Sequence, residues 1–385
     1  MDLLPQPLRT DGSNAFAHHS MAVRVPGIIS EVLDRNPDYP PEIKSAFERL
    51  QSEIMSDAPL RLFTPPAPDF DLWTQHFEPY SDSSWLDTEW FLAEMLAYRL
   101  MTEAADYWST ARDPFEPLKR DEIESHELWE TLDEAQATEG SASQRLIALF
   151  TFSLWGNRFD LSLKKTAALG IQASDDHLIV DDIPRIVAHL LSCNTGDIHF
   201  IMDNAGTEQA LDFVLVDYLL SSRIAESVTL HLKMHPVLVS DSTTADVHLL
   251  LTAMLNKGGD AAQLASRLNS FLESGHLRIR PDFFWTTPGR LWELPPRLQH
   301  PFQNATLVVA KGDINYRRIT HDAIWPPGTP LASAIHAFPA PILALRTLKS
   351  DTLIGVDSAT IEQLNRSAPQ DWRTSGAYAV AQCVL

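Results

Sequence analysis

The sequence predicts an α/β protein: a three-layer α/β/α sandwich with a largely parallel sheet, preceded by an N-terminal helical region. Three observations predict it. From about residue 166 onward, short apolar runs of strand length alternate with segments of helical period, the pattern of parallel strands joined by crossover helices. Before about residue 165 the clear periodic segments are helical. Nothing linker-like separates the two parts, so 1–165 (helical region) and 166–385 (α/β/α core) are expected to form one integrated unit.

The elements follow in order. Residues 1 to about 70 are rich in proline and polar residues, and within them Pro41 opens a helix that runs to Met55. "WLDTEWFLAEMLAYRLMTEAADYW" reads as an amphipathic helix with apolar positions at Trp90, Phe91, Ala93, Met95, Ala97, Tyr98 and Met101. "SASQRLIALFTFSLWGN" is a further helix that ends near Gly156. Beyond 165, "HLIVDD" is a short strand, "IPRIVAHLLSC" a helix, "DIHFIMDN" a strand and "EQALDFVLVDYLLSSRI" a helix. "SVTLHLKMHPVLVSD" holds one or two strands, and "DVHLLLTAMLN" and "AAQLASRLNSFLESG" are helices. "LRIRPD" and "ATLVVAKGD" are strands, and "APILALRTLKSDTLIGV" reads as strand, loop, strand. There is no internal repeat and no low-complexity tract.

Composition narrows the function. A chain of 385 residues can bury a sizeable core. The formal charge of −21 is spread along the chain, which argues against nucleic acid and against anionic membrane surfaces as partners. Two cysteines, Cys193 and Cys383, give neither a disulfide framework nor a cysteine metal spacing, so a reducing, cytoplasmic setting is expected. The first residues lack a charged segment followed by an apolar run, so no signal peptide is expected, and no apolar stretch approaches membrane-spanning length. No obligate protein partner is indicated.

The chemistry is read from the strand ends, where open α/β sheets place their ligands. "HFIMDN" ends in Asp203 and Asn204, "HPVLVSD" in Asp241, and "TLVVAKGD" in Asp313. One Asp after a strand is ordinarily a turn former or a helix N-cap. Three in one chain suit a divalent cation held by hard oxygen ligands: magnesium, manganese, or a softer first-row ion that tolerates oxygen. Cations lie nearby: Lys311, Arg317 and Arg318 in "KGDINYRR", and Arg346 and Lys349 in "LRTLKSD". Beside a metal their use is to bind phosphate, Lys as a point charge and Arg as a fork; the plainer alternative is surface salt bridging. "SLWGNRFDLSL" places Asn157 and Asp160 just after a helix, where a C-cap glycine and a polar turn are the plainer account.

Taken together, "SLWGNRFDLSL", "DNAGTEQALD", "HPVLVSD", "VVAKGDINYRR" and "LRTLKSD" resemble the successive motifs of the damage-control phosphatases, formerly domain of unknown function 89. The "RTLK" string, Arg346 to Lys349, is similar to the Arg-Thr-x-Lys signature of their sugar-phosphate subfamily, which includes the acidic-residue methyltransferase-like proteins; "EWFLAEMLAYR" and "DWRTSGAYAV" fit it too. The resemblance runs from about residue 20 to the end. It implies a metal-dependent phosphoric monoester hydrolase acting on small sugar phosphates such as fructose 1-phosphate, with manganese, cobalt, nickel or magnesium as cofactor. It implies that Asp203, Asn204 and Asp241 hold the metal. Asp313, Asn315, Tyr316 and Arg317 would line the substrate, Lys349 would bind its phosphate next to Arg346, and Asn157 and Asp160 would stand at the site.

Three other functions fit parts of the pattern. One is a pathway-specific phosphatase for a phosphorylated or diphosphorylated biosynthetic intermediate. Another is an S-adenosylmethionine-dependent carboxyl methyltransferase, although "LIVDDIPRI" lacks the glycine such a loop would use. The last is a non-catalytic binding protein. No GxxxxGKS loop is present, which sets aside a nucleoside-triphosphate enzyme.

Overall fold

The apolar runs after residue 177 form a sheet in the computed structural model, which describes residues 4–158, 177–335 and 338–385. Its strands are β1 (Leu178–Asp181), β2 (Gly196–Ile201), β3 (Ala225–Lys233), β4 (Leu277–Asp282), β5 (Ala305–Lys311), β6 (Ile342–Thr347) and β7 (Ala379–Val384). Their spatial order is β1-β7-β6-β5-β2-β3-β4. The β6/β7 pair is antiparallel and the other neighbours are parallel, so the sheet is largely parallel with β1 and β7 running against the rest. From β2 the chain steps outward to β3 and β4, then returns to the other side of β2 with β5. That reversal opens a crevice at the carboxyl ends of β2 and β5.

Alternation along the strands builds two cores. Ile198 and Phe200 of β2, Leu307 and Val309 of β5, and Leu343 and Leu345 of β6 pack against the helices Ala142–Gly156, Ile183–Ser192 and Thr207–Ser221. Leu128 and Leu132 of the helix His126–Gln136 join this core, so the layer draws helices from both sides of residue 165. Ile201, Val308, Ala310, Ile342 and Ala344 face the other way, onto Trp285, Phe302, Tyr316 and Ile319. Both faces of the sheet are covered, as in an α/β/α sandwich.

A third core belongs to the helices Val25–Arg35, Pro41–Met55 and Trp90–Ala104. It also takes in Val237, Leu238 and Val239, which follow β3, and Ile314, which follows β5. The helical region therefore covers the strand ends where the crevice opens. The Trp90 helix differs from the amphipathic expectation: every residue from Trp90 to Thr102 is buried, Glu94 and Arg99 included. A helix apolar all round is an interior helix, and its two charges need partners inside.

Three further differences have physical causes. "HPVLVSD" is a loop and not a second strand; Leu238 (φ 53°) and Val239 (φ 67°) are in the left-handed region, held there by burial in the helical core. The run after Lys349 is also a loop; it makes an isolated bridge between Ile324 and Leu353 and exchanges backbone hydrogen bonds with the segment around Gly328. β7, not foreseen from the sequence, sits between β1 and β6. Among the described residues no helix is long and apolar enough to cross a membrane.

Candidate active site

Asp203 and Asn204 follow β2 after one buried residue, Met202, close to where the sequence suggests, and Gly206 (φ 69°) then turns the chain into the Thr207–Ser221 helix. A side chain at Gly206 would meet the Glu122 carboxylate at 2.3–2.5 Å, and Oε1 of Glu122 accepts from the Thr207 N–H at 2.8 Å. Asp241 reaches Asp203 by another route than a parallel strand tip. The loop after β3 folds back, pairing Asp241 with Asn204 in an antiparallel bridge. Ser242 N–H donates to the Asp203 carbonyl at 2.7 Å, and Ala205 N–H to the Ser240 carbonyl at 2.7 Å.

Asp203, Asp241, Asp313, Arg317 and Lys349 line one pocket. Arg24, Trp90 and Glu94 of the helical region, with Leu238 and Ile314, complete it. Lys233, the last residue of β3, stands behind the two acids: its Nζ is 2.9 Å from Asp241 Oδ2 and 3.8 Å from Asp203 Oδ1, and donates to the Met202 carbonyl at 2.6 Å.

Asp203 Oδ2 accepts from the amides of Asn157 at 2.9 Å and Asn204 at 3.2 Å. Both amides also donate to Glu208 Oε2, at 2.9 and 2.7 Å. Glu208 Oε1 pairs with Lys311 Nζ at 3.2 Å, and Lys311 also reaches Asp212 at 2.8 Å and the Ser153 carbonyl at 2.5 Å. A buried chain of Lys311, Glu208 and two amides thus fixes one oxygen of Asp203. The other, Oδ1, is buried without a hydrogen-bond partner. Burial, and then the charges of Asp241 and Glu208, push the Asp203 carboxyl well above the usual range, with Lys233 and Lys349 offsetting part of this.

These features fit a divalent cation. Two carboxylates share a wall, one with an unsatisfied buried oxygen, and the charge they lack is positive. Among the described residues no three His, Cys, Asp or Glu side chains form a closed metal cage. A site of two carboxylates beside one amide suits a hard cation that keeps several waters. Asn204 turns its NH2 to Asp203 and Glu208 and its Oδ1 to the Ser240 hydroxyl at 2.7 Å, so its oxygen does not line the pocket.

The remaining expected residues divide. Lys349 lines the pocket, its ammonium donating to the Asn157 carbonyl and its N–H to Asp313 Oδ1 at 3.3 Å. Asp313 opens the helix Gly312–Ile319; its Oδ1 also accepts from Arg346 Nε at 2.7 Å and Ser350 Oγ at 3.0 Å. Arg317 is on the wall but engaged: it bonds Asp322 at 2.7 Å and Glu94 at 2.5 Å, and its guanidinium lies 3.7 Å from the Trp90 ring centroid. Burial pulls its pKa down, but Asp322 and Glu94 outweigh that and hold it above the usual value.

Arg346, Asn315, Tyr316 and Asn157 stand behind the wall and not on it. Arg346 spends its guanidinium on Asp313 and on the carbonyls of Thr352 (2.6 Å) and Ser350 (2.9 Å). The Asn315 amide ties the Lys311 carbonyl at 2.8 Å to β2, and the Tyr316 hydroxyl donates to Gln382 at 2.8 Å. Asn157 accepts from Thr347 Oγ1 at 2.7 Å while donating to Asp203. Asp160 lies outside the described residues. Sequence reasoning missed Arg24, Glu94 and Lys233. The signal for Glu94 was a lone acid among apolar residues in "WFLAEMLAY", and for Lys233 a lone cation closing the strand "TLHLK".

A family model described as damage-control phosphatase ARMT1-like domain matches residues 20–364. The damage-control phosphatase ARMT1 of Danio rerio is 29% identical over 99% of this chain and 97% of its own length. The protein of the same name from Homo sapiens is 26% identical over 99% of each. Among solved structures, a DUF89 family protein from Pyrococcus horikoshii superposes with a TM-score of 0.51 at 14% identity, covering 94% of this chain and 97% of that one, a likeness of fold.

Proposed function

The chain belongs to the damage-control phosphatase ARMT1-like domain family, and from that premise we propose that it is a metal-dependent phosphatase that hydrolyses small phosphate monoesters, sugar phosphates such as fructose 1-phosphate in particular. The observation that carries this reading is that Asp203 and Asp241 share one pocket with Lys349. Acids that gather a cation and a base that gathers a phosphate are thereby set against one another. The "RTLK" string supports the sugar-phosphate subfamily.

Asp203 and Asp241, with Asn204 beside them, would hold manganese, cobalt, nickel or magnesium. Bound there, such a cation supplies Lewis-acid stabilisation of phosphoryl oxygens and lowers the pKa of the attacking water. The chain supplies the rest. The Lys349 ammonium offsets charge on the phosphoryl oxygens as attack proceeds. Its donation to the Asn157 carbonyl aims it, and Asn157 also holds Asp203, so anion and cation sites are positioned by one residue. Asp313 keeps Oδ1 for Arg346, Ser350 and the Lys349 N–H; Oδ2 is the oxygen left to orient a water or substrate hydroxyl. Trp90, Leu238 and Ile314 exclude bulk water, which strengthens each of these interactions.

The test is phosphate release from fructose 1-phosphate by the purified chain with each of the four metals, with and without chelator. Release that depends on metal and stops with chelator is expected. Tight binding of S-adenosylmethionine with no phosphate released from any ester would replace this reading with the methyltransferase.

A further inference from the structure

Glu94 is a pocket carboxylate outside the pair that would hold the cation, and it comes from the helical region. It lies in a helix buried from Trp90 to Thr102, its side chain is 2% exposed, and yet it reaches the pocket wall. Oε1 accepts from Arg24 Nη2 and, at 3.4 Å, from Ser20 Oγ; Oε2 accepts from Arg317 Nη1 at 2.5 Å. An ionised carboxylate offers about four acceptor directions, and these contacts use three.

The holder of Glu94 is itself unusual. Ser20 and Arg24 begin and end a π-helical turn, Ser20–Arg24, set between two α-helices. Such turns are rare and recur at functional sites. Here the turn lets Arg24 bond Ser20 Oγ through Nε at 3.2 Å and Nη2 at 2.7 Å while Nη2 also reaches Glu94. The guanidinium is thus fixed in plane beside the acid.

Charge decides what this wall accepts. The lining acids are Glu94, Asp203, Asp241 and Asp313, against Arg24, Arg317 and Lys349. A divalent cation and one phosphate dianion leave that balance as it was. A second phosphate or a carboxylate against Glu94 would add negative charge where both guanidiniums are already bonded to acids, Arg24 to Glu94 and Arg317 to Glu94 and Asp322. A hydroxyl donates to the remaining Glu94 direction and accepts from a neighbouring donor, at no charge cost.

We propose that Glu94, held by Arg24, selects singly phosphorylated substrates that carry hydroxyls beside the ester, by accepting a hydroxyl proton at the helical-region wall of the pocket. This rests on the phosphatase reading above and assigns the alcohol side of the substrate to the N-terminal region. A site built to bond a hydroxyl rejects an analogue without one far more strongly than a merely apolar site does.

The experiment compares fructose 1-phosphate, fructose 1,6-bisphosphate and phenyl phosphate on the full chain, as parent, Glu94→Gln and Arg24→Met. The parent is expected to favour fructose 1-phosphate over both others in kcat/KM by at least ~10². Each variant is expected to reduce that preference over phenyl phosphate at least ~10-fold, chiefly by raising KM for the sugar ester. Thermal unfolding is followed alongside, and Arg24→Met, at a side chain 19% exposed, carries the test if Glu94→Gln does not fold. A loss shared equally by the three esters overturns the proposal and leaves Glu94 as a support for Arg317. If the parent releases phosphate from none, the phosphatase reading fails. Calorimetry of fructose 1-phosphate on the metal-loaded proteins then decides: weaker binding in the variants supports the subsite, whereas equal binding or none in the parent overturns it.

Discussion

A Cβ on Gly312 would lie 1.8 Å from Oδ2 of Asp203 and 2.8 Å from the Asn157 amide nitrogen, on a backbone with φ of 76°. The turn after β5 therefore passes against the very carboxylate oxygen that the two asparagines hold. Gly312→Ala carries two penalties, a left-handed backbone worth roughly 1–2 kcal/mol and displacement of Asp203. The expected outcome is a folded protein of lower Tm whose metal affinity falls at least ~10-fold and whose turnover falls ~10²-fold, as misplaced catalytic groups do. Calorimetry and phosphate release check it; parent-like metal affinity would contradict the placement.

Asp203→Asn and Lys349→Met should separate cation from anion. The Asp203 carboxyl is held high by burial and by Asp241 and Glu208, so a neutral amide relieves the metal-free protein and should leave its fold intact or slightly firmer. Metal affinity should fall, with turnover down by at least ~10². Lys349→Met should keep metal affinity and lose turnover and phosphate affinity together. Equal metal binding by Asp203→Asn, or near-parental turnover by Lys349→Met, would show the roles to be misassigned.

Much of this was legible in the sequence, for identifiable reasons. β2, β3, β5 and β6 are apolar runs with two buried faces, and such runs declare themselves. Asp203, Asp313 and Lys349 were legible because a charge directly after a buried run has few places to go but the crevice. Asp241 was found for an incomplete reason: the apolar residues before it are buried in the helical core, not in a strand, and period alone does not distinguish those fates. Asn315 and Tyr316 share the helix of Asp313 and Arg317 but point to its back, which spacing shows only once the helix is placed. Arg24 and Glu94 lie 70 residues apart in sequence and meet only through tertiary packing.

The buried Asp212 gives a pH signature outside the pocket. Burial and the Glu208 charge push its carboxyl from 3.8 up to about 6, against the pull of Lys311. The folded chain thus binds this proton more tightly than the unfolded one, and the group's contribution to stability falls as pH rises from about 4 to about 6. Asp212→Asn removes the titration while Lys311 keeps Glu208 as partner. Denaturant midpoints across that window should show the parent losing stability relative to the variant, on the order of 1–3 kcal/mol, and the gap flat above it. A constant gap throughout would place the Asp212 proton elsewhere.

Lys119 links the helical region to the cation site and makes the last test. It sits on the helix Glu116–Glu124, fully buried, with Nζ 2.9 Å from Asp113, 2.8 Å from Asp246 and 3.1 Å from the Asp241 carbonyl. Asp246 closes the capping box of Thr243, which starts the next helix. One ammonium thus joins three segments around the loop that carries Asp241. Burial lowers the Lys119 pKa, but Asp113 and Asp246 more than offset this and hold it raised. Lys119→Met fits the space but leaves two acids without their cation, a loss that typically costs ~3–5 kcal/mol. Because one unpaired acid sits on each side of the junction, adding Asp113→Asn should recover part of the loss, and the double variant should be more stable than Lys119→Met alone. Metal affinity should weaken several-fold in both, since the Asp241 carbonyl has lost its anchor in each. Urea unfolding gives the first comparison and calorimetry the second. A Lys119→Met protein within ~1 kcal/mol of the parent and with parental metal affinity would mean that the helical region rests on the site loop without holding it.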